Sequence, residues 1–407
     1  MIKPLIRPVK VFILTLLCVS VASCAPAPEG TDAPTEQPTP VIAAGDERLS
    51  PEPPPTQRHG ITRNSSGDIV RRAQEILDGM TLEEKICQML IIRIDDVTGR
   101  KSETEYGDAF RRGLETYPVG GLVFFTENIA NSGQVIGMIA AAQESVDIPL
   151  FISADEEGGR VRRLSRKLDT PLFDAMFEYR AFGEKVAEDN ARQIAGYMTA
   201  HGFNLDFAPV ADIWTNPENT VIGDRAYSDN AEEASRLVSA AVQGFLDGGI
   251  IPTLKHFPGH GDTSQDSHNE PAVSDASLDT LRSREFLPFV SGLEAGAPIV
   301  MLSHVTATKV DPDNPAPFSE TLIEGILRGE MEFDGIVITD ALDMGALSAF
   351  SSEEIVVRAV EAGCDILLGI RKIPAAIAAI RDNIPEDRID ESVMRILTLK
   401  LEFGIMN

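Results

Sequence analysis

The chain has 407 residues, with 63 acidic against 36 basic side chains and a formal net charge of -27. That balance excludes nucleic acid as a partner and adhesion to an anionic membrane by charge alone, since both demand a basic surface. With 43% hydrophobic residues and only four cysteines, the chain has material for a large core and none for a disulfide framework.

The first segment is a targeting signal. Lys3, Arg7 and Lys10 form a basic start, residues 11–21 are apolar but too few to span a bilayer, and Val21-Ala22-Ser23 supplies small residues for cleavage. Residues 1–23 therefore predict export. Cys24 directly after that site resembles a bacterial lipobox, which implies acylation of Cys24 and an anchored lipoprotein on the extracytoplasmic side of a membrane. Residues 24–66 follow as a tether. Nine of the 26 prolines lie between positions 25 and 60, among Thr, Glu, Ala and Gly, a composition that cannot bury enough surface to fold. At ~3.1 Å per residue such a tether reaches on the order of 100 Å.

Residues 67–407 have the length of one (β/α)₈ barrel. Short β-branched or apolar runs at 88–94, 121–125, 150–154, 205–211, 253–257, 299–304, 336–339 and 365–369 read as eight strands. Helical spacing between them, as at 231–246 and 353–361, predicts a parallel sheet. The absence of a Gly-rich phosphate loop after the first strand favours a closed TIM-type barrel over an open doubly wound sheet. Cys87 and Cys364 sit in apolar runs and read as buried small hydrophobes.

Polar residues concentrate where barrel enzymes do chemistry. Asp155, Asp212, Lys255 with His256, His304 and Asp340 each stand at the C-terminal end of a different apolar run. A lone Asp after a strand is as readily a helix cap, but five such positions argue for a site. Residues 255–268 are the densest stretch, holding Lys255, Asp262, Asp266 and three of the six histidines, His256, His260 and His268. Buried charges need partners, so this run predicts a working loop.

Lys255-His256-Phe257-Pro258-Gly259-His260-Gly261, followed by Asp266-Ser267-His268, resembles the signature of bacterial β-N-acetylhexosaminidases of the family 3 glycoside hydrolases. Asp155-Glu156-Glu157-Gly158-Gly159-Arg160-Val161, Phe207-Ala208-Pro209-Val210-Ala211-Asp212, Ile222-Gly223-Asp224-Arg225 and Ile338-Thr339-Asp340-Ala341-Leu342 resemble that family's other blocks in the same order. The resemblance implies a single (β/α)₈ domain over 67–407, since the chain stops where the barrel's last helix, around 397–403, would end.

It further implies an exo-acting, retaining β-N-acetylglucosaminidase. Asp340 becomes the nucleophile that forms a covalent glycosyl-enzyme, and His268 the acid/base, its ordinary pKa near neutrality suiting both proton transfers. Asp266, two residues away on an extended segment, faces the same side and orients His268. Asp155, Arg163, Lys255 and His256 are assigned to sugar hydroxyls and Arg225 to the N-acetylated sugar. The implied substrates are N-acetylglucosamine-containing oligosaccharides, either muropeptides and other peptidoglycan fragments or chitin, with no metal and no cofactor. Glu156 stands where many relatives have an amide, and Ala341 where a second Asp is common. Two readings compete: a metal-dependent hydrolase using the His256 to His268 cluster, and a surface sugar-binding lipoprotein without catalysis.

Overall fold

The computed structural model describes residues 65–264 and 271–406. The segment expected to be a signal peptide, Cys24, most of the expected tether, and Asp266 with His268 lie outside the described residues. The folded region starts where the composition shifts: Ser66 caps the helix Gly67–Asp78, its hydroxyl accepting from the Ile69 amide.

Ten strands follow in chain order: β1 (Leu90–Arg93), β2 (Gly121–Val123), β3 (Phe151–Ala154), β4 (Leu205–Asp206), β5 (Ile251–Phe257), β6 (Ala272–Ser274), β7 (Ile299–Leu302), β8 (Val305–Ala307), β9 (Ile336–Thr339) and β10 (Leu367–Leu368). Eight of them pair in parallel in the order β10-β1-β2-β3-β4-β5-β7-β9. A bridge between Ile338 and Ile366, with the Thr339 amide donating to the Ile366 carbonyl at 3.1 Å, brings the last strand back to β9. The result is a nearly closed (β/α)₈ barrel, as the alternation of runs predicted.

The barrel strands are buried along almost their whole length, because a barrel strand is covered on both faces. Ile336, Val337 and Ile338 are fully buried, as are Ile299, Val300 and Leu302. Phe257 stacks on Phe286 at 5.2 Å and meets Phe289 edge-on at 5.3 Å, both from the helix Phe286–Glu294, which packs on β5. Truncating such a side chain to Ala costs about 3–5 kcal/mol. The covering helices start at polar caps that sequence makes visible. Asn131, Asn230 and Ser351 accept from the third amide of helices Ser132–Glu144, Ala231–Asp247 and Ser352–Glu361, and acidic residues fill the first turn of the last two.

Several strands are shorter than their apolar runs. The run at 88–94 loses its start because Thr81 and Glu84 form a capping box that carries a helix through Leu82–Gln88. The run at 205–211 pairs regularly only over Leu205–Asp206, since Pro209 lacks the amide a ladder needs, and resumes as one bridge from Val210 to Lys255. The run at 365–369 narrows to Leu367–Leu368 because the Asp365 carboxylate, not a backbone carbonyl, receives the Val337 amide at 2.9 Å. The parallel pair β6–β8 is an addition, too short for alternation to signal. Cys87 and Cys364 are buried and unbridged, and burial pushes the Cys87 thiol up to about 12.

Candidate active site

The C-terminal ends of the barrel strands open into a cavity of about 490 Å³. Asp155, Arg163, Arg225, Lys255, His256 and Asp340, six of the residues singled out from sequence, line it together. They come from four different strand ends and the loops that follow them.

Strand β3 runs into three consecutive carboxylates. Side chains two apart on extended backbone face the same side, so Asp155 and Glu157 reach one network while Glu156 turns away from it. Lys255 Nζ donates to Asp155 Oδ1 at 2.9 Å and to Glu157 Oε1 at 2.6 Å, with only 1% of its side chain exposed. Arg225 clasps Glu157 with two bonds of 2.9 and 2.8 Å. Arg163 reaches Asp155 Oδ2 at 3.1 Å. Gly158 and Gly159, at φ of 90° and 52°, make the turn that brings Arg163 back over Asp155.

Charge pairing sets the protonation of this network. Burial works against every charged member, yet Lys255 and Arg163 hold Asp155 well below the usual carboxylate range. Burial likewise opposes ionisation of Glu157, and Arg225 and Lys255 outweigh it, bringing Glu157 down to about 2. The same carboxylates raise the Lys255 pKa against its own burial. Asp155, Glu157, Lys255 and Arg225 are all charged at neutral pH.

His256 is held in one tautomer. Its Nδ1 donates to Asp212 Oδ2 at 2.6 Å, which leaves Nε2 to face Arg225 Nη2 at 3.3 Å. Asp212 also receives the amides of His256 and His260 at 3.2 and 2.7 Å, so it organises the stretch after β5 from behind. The stem of that loop is tightly seated: a Cβ on Gly261 would lie 1.9 Å from the Ile213 carbonyl oxygen. His304 does not line the cavity. Its Nε2 lies 2.9 Å from the Ala341 carbonyl, bracing the peptide beside Asp340, while the Asp340 Oδ1 accepts the Ala341 amide at 2.7 Å. Among the described residues, no three His, Cys, Asp or Glu side chains gather as metal ligands do.

Sequence reasoning gave no role to Glu157, although its spacing from Asp155 on a strand end was the available signal. It also passed over Arg93, Phe125 and Arg160. Arg93 and Arg163 both lie over the Phe125 ring, at 4.3 and 5.5 Å. Arg93 pairs with Asp343 at 3.4 Å. Arg160 bridges two loops, bonding Asp224 Oδ1 at 2.8 Å and the carbonyls of Thr220, Val221 and Ile222. Arg93 follows the same strand-end rule as Asp155; Phe125 and Arg160 carry no such mark.

A barrel whose strand ends gather carboxylates, paired cations and a fixed imidazole around one cavity has the layout of a (β/α)₈ enzyme site. Residues 81–399 match the family described as glycosyl hydrolase family 3 N terminal domain. The chain belongs to glycoside hydrolase family 3 and is a glycoside hydrolase. It is 37% identical over 278 residues to a beta-hexosaminidase of Xanthomonas axonopodis pv. citri (strain 306), an alignment covering 65% of this chain and 80% of the relative. Among solved structures it superposes on a family 3 β-N-acetylglucosaminidase from Paenibacillus sp. str. FPU-7 with a TM-score of 0.75 and 38% identity, covering 80% of this chain and 63% of that one. It thus spans somewhat under two thirds of that structure's length. A β-N-acetylhexosaminidase from Beutenbergia cavernae DSM 12333 gives a TM-score of 0.69 at 26% identity, with 79% of this chain and 98% of the other covered.

Proposed function

We propose that the protein is a retaining exo-β-N-acetylhexosaminidase. The observation that carries this reading is the convergence of Asp340 with Asp155, Arg163, Arg225, Lys255 and His256 on one cavity at the strand ends. The names of the relatives at 37 and 38% identity support the choice of an N-acetylated amino sugar.

In this mechanism the terminal sugar sits with its hydroxyls against Asp155, Lys255, His256 and Arg163, and its acetamido side toward Arg225. An Asp340 oxygen attacks the anomeric carbon while His268 gives its proton to the departing glycosidic oxygen. The C–O bond breaks, the aglycone leaves as an alcohol, and a glycosyl ester on Asp340 remains. His268, now neutral, takes a proton from water, whose oxygen displaces Asp340 and restores both groups. Asp266 holds the imidazole during both transfers. Two inversions at one carbon give net retention. The substrates are chitin oligosaccharides or peptidoglycan fragments, met outside the cytoplasm by an enzyme anchored through acylated Cys24.

Turnover of nitrophenyl N-acetyl-β-glucosaminide, followed by NMR of the first-formed anomer, tests the chemistry. Retention is expected, with Asp340→Ala inactive and a fluorinated substrate trapped on Asp340. An inverted product overturns the mechanism. Palmitate labelling lost in Cys24→Ala tests the anchor.

A further inference from the structure

The middle carboxylate of the β3 terminus has a function that neither the sugar nor the ion-pair network accounts for. Glu156 is fully buried, and among the described residues no cationic side chain pairs with it. Its partners are four donors instead. Oε2 accepts the backbone amides of Arg163 and Leu164 at 2.5 and 2.7 Å. Oε1 accepts the Ser165 amide at 3.0 Å and the Tyr197 hydroxyl at 2.7 Å. The Glu156 amide is itself fixed, donating to Asp206 Oδ1 at 2.9 Å. The carboxylate thus ties the start of the loop, residue 156, to its return, residues 163–165.

That tie has a geometric consequence for the cavity. Asp155 and Arg163 face each other across the Gly158-Gly159 turn at 3.1 Å, and their two backbones are referenced to the same buried side chain between them. The alternative anchors for Arg163 are weak. Its guanidinium has one bond to Asp155 and a face-on approach to Phe125 at 5.5 Å, and 23% of the side chain is exposed. Without the Glu156 cradle, the three amides at 163–165 would lose their acceptor in a buried place, and the loop would shift to find others.

We propose that Glu156 is a positioning residue: by anchoring the Arg163 and Leu164 amides, its carboxylate aims the Arg163 guanidinium beside Asp155 in the sugar cavity. This rests on the reading of Arg163 as a sugar-gripping group. The length of the side chain matters more than its charge. An amide at 156 keeps one oxygen for Arg163 and Leu164 and turns its NH₂ toward Tyr197, whose hydroxyl accepts as well as donates, so that of the three backbone donors only the Ser165 amide loses its acceptor. An aspartate keeps the charge but retracts both oxygens by one methylene and drags the loop or lets it go.

The test uses the full-length protein, nitrophenyl N-acetyl-β-glucosaminide, and thermal denaturation alongside kinetics. Glu156→Asp is expected to lower kcat/KM about 30-fold, mostly by raising KM, because misplacing a gripping group by ~1 Å carries losses of that order. Glu156→Gln is expected to stay within about threefold of the parent, keeping the acceptor of the Arg163 and Leu164 amides in place. Arg163→Ala is expected to lose about 100-fold, the order expected for removing a charged hydrogen-bond donor to substrate. The double variant Glu156→Asp/Arg163→Ala is expected to fall no more than about threefold below Arg163→Ala, since Glu156 acts through Arg163. Losses that multiply in the double variant overturn the proposal, as does a Glu156→Asp protein with lowered Tm and unchanged kcat/KM. If Arg163→Ala itself keeps full kcat/KM, the assignment of Arg163 falls and takes the proposal with it, a result distinct from the other two.

Discussion

Replacing Glu157 by Gln gives a quantitative test of the buried charge network. Glu157 is 1% exposed and is brought down to about 2 from an ordinary carboxylate value of 4.5. A depressed carboxylate contributes stability above its unfolded pKa and loses it as pH falls through the folded value, so the window here runs from 4.5 down to about 2. The difference corresponds to about 3 kcal/mol at neutral pH, within the ~3–5 kcal/mol typical of breaking a buried pair. For a barrel of about 340 residues the unfolding entropy is ~0.7 kcal/mol per degree, so Glu157→Gln should lower Tm at pH 7 by about 5 °C. Below the window the parent's Glu157 is itself protonated, and the gap between parent and variant should shrink toward zero. Differential scanning calorimetry at pH 7 and near pH 3, inside the window, measures the full gap and its narrowing to about half or less. Equal Tm values at pH 7, or a gap that does not narrow in acid, would refute the reasoning.

Glu285, 1% exposed, has its carboxyl pushed up to about 7 by burial, so the folded protein binds an extra proton between pH 4.5 and 7 and loses stability as pH rises through that range. Glu285→Gln should therefore raise stability by up to ~3 kcal/mol at pH 8 and change little at pH 5, read from urea midpoints. Lys400 is the opposite case: fully buried and lowered to about 7, it makes the unfolded chain the better proton binder between 7 and 10.5, so stability rises with pH there. Lys400→Met should raise Tm at pH 7 by a few degrees and flatten that rise, even after ~1 kcal/mol for the Gln88 Oε1 deprived of its donor at 2.8 Å. Asp212→Asn should cut kcat/KM by about 100-fold while the fold survives, because an amide nitrogen facing His256 Nδ1 reverses the tautomer. Dialysis against a chelator should leave the rate unchanged, and a loss restored by zinc would revive metal chemistry at the His256 to His268 cluster.

The barrel was legible because strand and helix periods alternate and most of its strands open as short apolar runs. Its boundaries were not, since they depend on single side chains: the Thr81 cap, Pro209, and Asp365 standing in for a carbonyl. The cavity residues were legible by the same rule that revealed the strands, a polar residue where an apolar run stops. That rule cannot separate a residue that lines the cavity from one that braces it, and Asp212 and His304 prove to brace. Nor does it find Phe125, whose part is to lie beneath two guanidinium groups, a relation between strands distant in sequence.

Among the described residues, each of the cavity's five Lys and Arg side chains touches a carboxylate: Arg93 meets Asp343, Arg160 meets Asp224, Arg163 and Lys255 meet Asp155, and Arg225 meets Glu157. Their fields close on themselves over a few ångströms, well inside the ~8 Å over which physiological ions screen. The large surplus of negative charge is therefore carried elsewhere on the molecule. For a glycoside hydrolase this makes the grip on an uncharged sugar nearly indifferent to brine or fresh water, while solubility and approach of charged polymers remain subject to ionic strength.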